Sequence, residues 1–214
     1  QKEIDGIALV VPVTKLGQLL QMHRGLSGGM LGGEPSMRDR IDKLDTEINS
    51  TLTSIAGDAV PWPSLQGDWL NIQTDWNALQ KDGLRHSTAK NFAAHTELLK
   101  KIQVFRRHMS DVSGLSLDPD IAAHYLLDTA IVELPDALEA LAQIRGLGTT
   151  ILAKKTISAS ESLRMHALFT ELEAASQRLA TNLEETSRHS PDSRQTLDSA
   201  FLQFKGALPR LLEK

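Results

Sequence analysis

The sequence contains no cysteine, one tyrosine and few other aromatic residues. Without cysteine there are no disulfides, thiolate zinc sites, iron–sulfur clusters or cysteine nucleophiles. Aromatic residues make up 4% of the chain and β-branched runs are short, which disfavours a sheet protein. No apolar run approaches the roughly 20 residues of a membrane span. The absence of cysteine therefore excludes thiol-based chemistry.

Neither sign of charge dominates the sequence. The formal net charge is -4 with both signs spread along the chain, so no basic stripe could follow a phosphate backbone. We therefore expect no nucleic-acid partner. The abundant residues are Leu, Ala, Glu, Gln, Lys and Arg, which are typical of helices. The composition predicts an all-α protein, an elongated antiparallel helical bundle that forms a single domain over residues 1–214.

Apolar residues recur at helical spacing, and stop and cap signals divide the chain into seven predicted helices. The helices run from about 4 to 31, 36 to 59, 64 to 81, 87 to 114, 121 to 155, 158 to 188 and 191 to the end. Pro12 and Pro135 are expected to kink the first and fifth helices without ending either. At about 1.5 Å per residue these two helices would each be roughly 45 to 50 Å long. Such lengths favour two stacked four-helix modules that share the first and fifth helices.

Local patterns predict the helix starts and the buried faces. Asp118 is the expected N-cap of the fifth helix, with Pro119 at its first position, and 158–161 (SASE) is a capping box for the sixth. Trp69 and Trp76 lie seven residues apart and are expected on the face of the third helix that packs into the core. The predicted apolar face of the first helix consists of Ile4, Ile7, Ala8, Val11, Leu16, Leu19, Leu20 and Leu26.

Enzyme motifs are missing from the sequence. A di-metal site in a bundle needs Glu-x-x-His on two helices, and that pattern does not occur. There is also no P-loop, dinucleotide fingerprint or calcium loop. Residues 25–29 (GLSGG) match the Gly-x-Ser-x-Gly of a hydrolase elbow, but no strand precedes them, so we interpret the match as chance. We predict no enzyme activity, no metal and no cofactor.

Two Arg-Gly steps within helices are the positive signal. They lie in 21–29 (QMHRGLSGG) and 143–148 (QIRGLG). Glycine inside a helix costs about 1 kcal/mol relative to alanine, and close approach of a neighbouring backbone would offset that cost and leave room for a ligand. Arg24 and Arg145, from different helices, are candidates to bind one small anion through bidentate hydrogen bonds. The commoner alternative is an arginine at the surface or paired with a carboxylate, with the glycines as packing notches.

Two ring side chains join the candidate ligand site. His23, next to Arg24, would be a pH-sensitive donor beside a ligand, although a solvated histidine on the helix surface is the commoner case. Tyr125, within AHYLLD, is expected to point toward the same site. The alternative for Tyr125 is a buried hydroxyl that a backbone carbonyl satisfies.

Three segments resemble recurring blocks of a group of bacterial chemoreceptors and related sensory kinases and diguanylate cyclases. They read KEIDGIALVVPV, LLQMHRGLSGGMLGG and LDPDIAAHYLLDTAIVELPDALEALAQIRGLGTTIL, and cover roughly a third of the chain. The Gln-x-x-Arg-Gly-x-Ser element at 21–27 is also similar to the nitrate- and nitrite-sensing domain, an all-helical double bundle in which arginines from separate helices bind the anion. This resemblance implies Arg24 and Arg145 as anion ligands, with Ser27 in the same element. His23 stands where that family more often has an acidic residue.

The resemblance implies the periplasmic sensor domain of an inner-membrane methyl-accepting chemotaxis protein. Such a domain would bind nitrate, nitrite or a small carboxylate between the first and fifth helices and pair as a homodimer along the first. Flanking transmembrane helices and a cytoplasmic signalling domain would belong to the full-length protein, and a start at Gln1 and an end at Lys214 fit an excised segment. Three alternatives stay open: the sensor domain of a histidine kinase or diguanylate cyclase, a cytoplasmic nitrate- or nitrite-responsive regulatory domain, and a structural helical adaptor without a ligand.

Overall fold

The fold is all-α. A computed structural model describes residues 2–58, 62–191, 197 and 199, and no strand occurs among them. The predicted helical bundle is therefore confirmed. The chain divides into two compact units, Gln1–Leu115 and Ser116–Lys214. The first predicted helix belongs to the first unit and the fifth to the second, and the stacking of modules that share these helices stays a prediction.

The first unit consists of four helices: α1 (Lys2–Leu31), α2 (Arg38–Asp58), α3 (Gln66–Asp82) and α4 (Thr88–Ser113). Short 3-10 turns precede α2, α3 and α4. In this unit α1 packs against α2 and α4, and α3 packs against α4. Because α1 packs along two of the other three helices, its inward face lies at the centre of the unit.

Local signals explain the bounds of α4. The Ser87 hydroxyl accepts a hydrogen bond from the Lys90 amide at 3.3 Å, which satisfies one of the free donors of the first turn. Gly114 follows the last turn with a φ of 86°, a left-handed conformation that residues with a Cβ rarely adopt. The sequence prediction of 87 to 114 was accurate to within a residue at each end.

The core of the first unit is large and apolar. Its fully buried members come from all four helices and include Leu9, Val13, Leu16, Leu20, Ile48, Ile55, Trp76, Ile102, Phe105 and Met109. Trp69 and Trp76 lie in this core, so their predicted placement is confirmed. The predicted face of α1 is wrong over its first three turns, where Ile4, Ile7 and Val11 are exposed. The buried face there follows Gly6, Leu9 and Val13.

The second unit begins with a helix whose cap differs from the prediction. Asp120, and not Asp118, is the N-cap, since its carboxylate accepts from the Ala123 amide at 2.8 Å. Pro119 therefore lies before the helix. Asp118 instead accepts from the amide of Asp120 at 2.8 Å, which orders the turn that leads into the cap.

From residue 121 a continuous helix comprises α5 (Ile121–Asp128), a π-helical segment (Thr129–Glu133) and α6 (Leu134–Lys154). Pro135 lies just after the π segment and does not end the helix, as predicted. A proline ring crowds the carbonyl four residues earlier, and a wider turn there relieves that contact. After a left-handed Lys155, α7 (Ala159–His189) starts at the predicted capping box.

Among the described residues of the second unit, the main cluster of buried apolar side chains is small and rich in alanine. It consists of Ala137, Ala140, Leu172, Ala175 and Leu179, where α6 packs against α7. Most of the seventh predicted helix, from 191 onward, lies outside the described residues. Within the described part, none of the helices combines the length and the apolarity that crossing a bilayer requires.

Candidate functional site

Three predicted site residues lie together on the inward face of α1. His23 is 3% exposed and Arg24 is 2% exposed, while Ser27 is fully buried. Their burial follows from the helical stripe, because His23 and Ser27 continue the buried positions of Leu16 and Leu20 at spacings of three and four. His23 is therefore not a solvated histidine on the helix surface, and Arg24 is not a surface arginine, so both of these alternatives are wrong.

Arg24 is held against α4. Its Nη1 donates to the Thr96 hydroxyl at 3.0 Å, and its guanidinium carbon lies 4.8 Å from the centre of the Phe92 ring. The Thr96 hydroxyl in turn donates to the Phe92 carbonyl at 2.9 Å. A cation over an aromatic face is attracted by the ring quadrupole. The Arg24 side chain is thus fixed by both a hydrogen bond and a cation–π contact.

His23 connects α1 with three other helices. Its Nδ1 lies 2.7 Å from Nε2 of His95 on α4, and its Nε2 lies 3.0 Å from a carboxylate oxygen of Asp45 on α2. The edge of its ring contacts Trp76 of α3, with the ring centres 5.1 Å apart. The Ser27 hydroxyl is 3.3 Å from the same Nδ1. One imidazole therefore joins every helix of the first unit.

His95 is neutral in this environment. Burial lowers its pKa from 6.5 to about 3, the charges of His23 and Arg24 add to that effect, and a hydrogen bond to the Asn91 backbone opposes it. The Asn91 carbonyl only accepts, so Nδ1 of His95 carries the proton of that 2.9 Å bond. Nε2 of the neutral ring is then an acceptor.

The acceptor on His95 fixes the proton on His23. Nδ1 of His23 must donate to it, since two lone pairs 2.7 Å apart would repel. On the other side of the ring, Nε2 lies 3.0 Å from a carboxylate oxygen of Asp45. The guanidinium of Arg24 adds a positive charge to this cluster.

The other two predicted residues belong to the second unit. Arg145 lies on α6 and is exposed, and Tyr125 lies on α5 and is half-buried, with its ring centre 5.6 Å from that of His124. The Thr149 hydroxyl donates to the Arg145 carbonyl at 2.8 Å. A site shared by Arg24 and Arg145 stays a prediction.

Gly25 does not approach a neighbouring backbone. It is exposed, and a Cβ placed on it would meet no atom within 4 Å. The interpretation of this glycine as a packing notch or as a point of close backbone approach within the chain is therefore wrong.

Sequence reasoning missed the residues of α2 and α4 that complete the cluster, namely Asp45, Phe92, His95 and Thr96. A signal for His95 was present, because it lies on the buried stripe of α4 between Asn91 and Leu98 at spacings of four and three. A titratable residue on such a stripe predicts a buried polar contact. Asp45 had no comparable signal, since it flanks the buried stripe of α2.

No protein-family model matches the chain, and it matches no curated protein and no solved structure. The described residues contain no group of three or more histidine, aspartate or glutamate side chains placed to hold a metal ion. The cluster contains a buried guanidinium, that of Arg24, and two hydrogen-bonded imidazole rings, those of His23 and His95.

Proposed function

We propose that this chain is the extracytoplasmic ligand-sensing domain of an inner-membrane chemoreceptor, and that its ligand is a small anion. The observation that carries the proposal is the buried guanidinium of Arg24 on α1. The planar donors of a guanidinium match nitrate, nitrite or a carboxylate. In this proposal Arg24 is the anion ligand, and His23 and Ser27 lie beside it.

Signalling would follow from competition for Arg24. In the described state Thr96 of α4 accepts from Nη1. An anion that took this donor would change how α1 is held against α4, and His23 would carry the change to Asp45 on α2. A ligand shifts such an equilibrium only by its differential affinity for the two arrangements, so we expect a coupling of about 1 to 3 kcal/mol.

We also propose that the domain pairs along α1. Its solvent-facing residues Ile4, Ala8, Val11, Lys15, Gln18, Met22 and Gly25 alternate in steps of four and three, the spacing of a coiled-coil seam. The large apolar members Ile4, Val11 and Met22 are exposed. Light scattering tests the pairing: Val11→Glu is expected to give a monomer, and Leu117→Glu, at an equally exposed site in the second unit, is expected to leave a dimer intact. A monomeric wild-type chain would contradict the pairing.

Thermal-shift screening against nitrate, nitrite and small carboxylates tests the sensing proposal. We expect at least one anion to raise the melting temperature, and Arg24→Ala to weaken its affinity about tenfold or more. Arg38→Ala is the control, because Arg38 is exposed and paired with Asp42. Where Arg24→Ala fails to fold, Arg24→Lys keeps the charge and removes the planar donor pair. Unchanged affinity in a folded Arg24→Ala variant would refute the site.

A structural helical adaptor is the second candidate function. It is favoured by the internal partners of the cluster, since His23 and Arg24 both bond within the chain. The adaptor predicts that no small molecule shifts the melting temperature. A cytoplasmic regulatory domain differs in another observable, because its full-length protein would lack apolar spans on either side of residues 1–214.

A further inference from the structure

The turn between α6 and α7 exposes large apolar side chains. Leu152 on the last turn of α6 is 78% exposed, Ile157 in the connection is 53% exposed and Leu163 near the start of α7 is 71% exposed. At Gly148 of α6 an added Cβ would lie 3.9 Å from Met165 Cε of α7, so the two helices are in contact there. We call residues 149–164 the hairpin tip.

The hairpin tip is basic, although the chain as a whole is acidic. It contains Lys154, Lys155 and Arg164 and a single carboxylate, Glu161. Glu161 is committed to the capping box, where its side chain accepts from the Ser158 amide at 2.9 Å. Lys155 is exposed, and its left-handed backbone conformation ends α6. The tip therefore combines apolar side chains with an excess of positive charge.

We propose that the hairpin tip docks on an anionic lipid surface. Basic residues flanking a few exposed apolar side chains are the combination that favours the boundary between headgroups and acyl chains. Three large apolar side chains at the end of a two-helix hairpin are too few for a stable protein interface, which buries about 800 Å² on each partner. Insertion among lipid headgroups requires no such area. The proposal goes beyond the proposed function and does not depend on it.

The direct test is sedimentation of the full chain with vesicles of phosphatidylcholine alone, or of phosphatidylcholine with one third phosphatidylglycerol. We expect binding to the anionic vesicles, weakened by salt, and little binding to the neutral ones. Leu152→Asp and Leu163→Asp are each expected to weaken binding about tenfold or more, because burial of the leucine is lost. Lys155→Glu is expected to weaken binding at least about fivefold.

Matched controls distinguish binding through the hairpin tip from nonspecific binding of the chain to vesicles. Leu117→Asp alters a leucine of the same unit that is 82% exposed and far from the tip in the sequence, and Lys90→Glu makes the same charge change on α4. Both should bind like the wild type. Because the substituted side chains are exposed, we expect each variant to fold, and circular dichroism verifies this.

Three results would overturn the proposal. The first is equal binding to neutral and anionic vesicles, or none to either. The second is a loss with Leu117→Asp as large as with Leu152→Asp. The third is self-association that Leu152→Asp abolishes in the absence of vesicle binding, which would make the tip a protein interface. A failure of anion sensing at Arg24 changes none of these readouts, so the two proposals can fail separately.

Discussion

The two units bury different kinds of side chain. The first encloses a large apolar core with His23, Arg24 and His95 within it. In the described part of the second unit the apolar cluster is smaller and rich in alanine, and the buried carboxylate of Glu133 pairs with the half-exposed Arg178. A buried charge or ring is costly to move without its partners, while partly exposed pairs contribute little. A change in ligand or proton binding at His23, Arg24 or His95 should therefore alter stability more strongly than a change at the partly exposed ion pairs of the second unit.

The largest expected effect comes from the apolar cores. Phe105→Ala removes a fully buried ring from the first unit and should lower the free energy of unfolding by about 3 to 5 kcal/mol. Leu172→Ala in the second unit should cost about 2 kcal/mol, because small neighbours leave fewer contacts to lose. Urea denaturation measures both values. Equal losses would break the contrast between the cores.

Acid should destabilise the first unit through His95. The unfolded histidine binds a proton below pH 6.5, whereas the folded one does so only near pH 3. Protonation of His95 in the unfolded chain therefore does not lower the free energy of unfolding above about pH 7. As the pH drops toward 3 the free energy of unfolding falls, by about 2 to 3 kcal/mol at pH 4.5. His95→Gln should remove this part of the acid sensitivity, measured by urea denaturation across pH.

His166→Gln is the control for the acid experiment, since His166 is exposed on α7. Its curve of stability against pH should follow that of the wild type. An unchanged curve for His95→Gln would show that other groups cause the acid loss.

Two glycines of α1 test how closely it packs on α4. A Cβ at Gly6 would lie 2.5 Å from the Ser113 hydroxyl and 2.6 Å from Ser113 Cβ, whereas one at Gly17 would meet nothing within 4 Å. Gly6→Ala should therefore destabilise by about 1 to 3 kcal/mol, and Gly17→Ala should stabilise by about 0.5 to 1 kcal/mol. Thermal melts give both signs. A stabilising Gly6→Ala would mean that α1 and α4 are farther apart there.

The smallest effects are expected for the ion pairs of the second unit. Glu133 lies in the π segment, and its buried carboxylate is 2.7 Å from Nε of Arg178. Arg178→Ala removes this contact and should lower the free energy of unfolding by about 1 to 2 kcal/mol. Arg188→Ala removes exposed pairs with Glu184 and Glu185 and should cost about 0.5 kcal/mol or less. Urea denaturation of both variants ranks them. The reverse order would contradict the burial assigned to Glu133.

The sequence was informative where local physics decides the outcome. Periodicity and caps located the helices, and the capping box at Ser158 was read correctly because all of its bonds are local. The sequence also drew attention to His23 and Arg24. It could not indicate that His95 and Asp45 would meet His23, since those contacts depend on how α1, α2 and α4 pack. The exposure of Ile4 and Val11 was missed because an apolar stripe alone does not reveal whether another helix covers it.

Hydrogen exchange with and without the anion that raises the melting temperature tests whether Arg24 and its neighbours form a ligand-responsive centre in the first unit. We expect changed exchange at residues 21–31 of α1 and at 88–98 of α4, and the loss of that change in Arg24→Ala but not in Arg38→Ala. Exchange that stays the same in these two segments while the anion binds, or that changes only in the second unit, would contradict it.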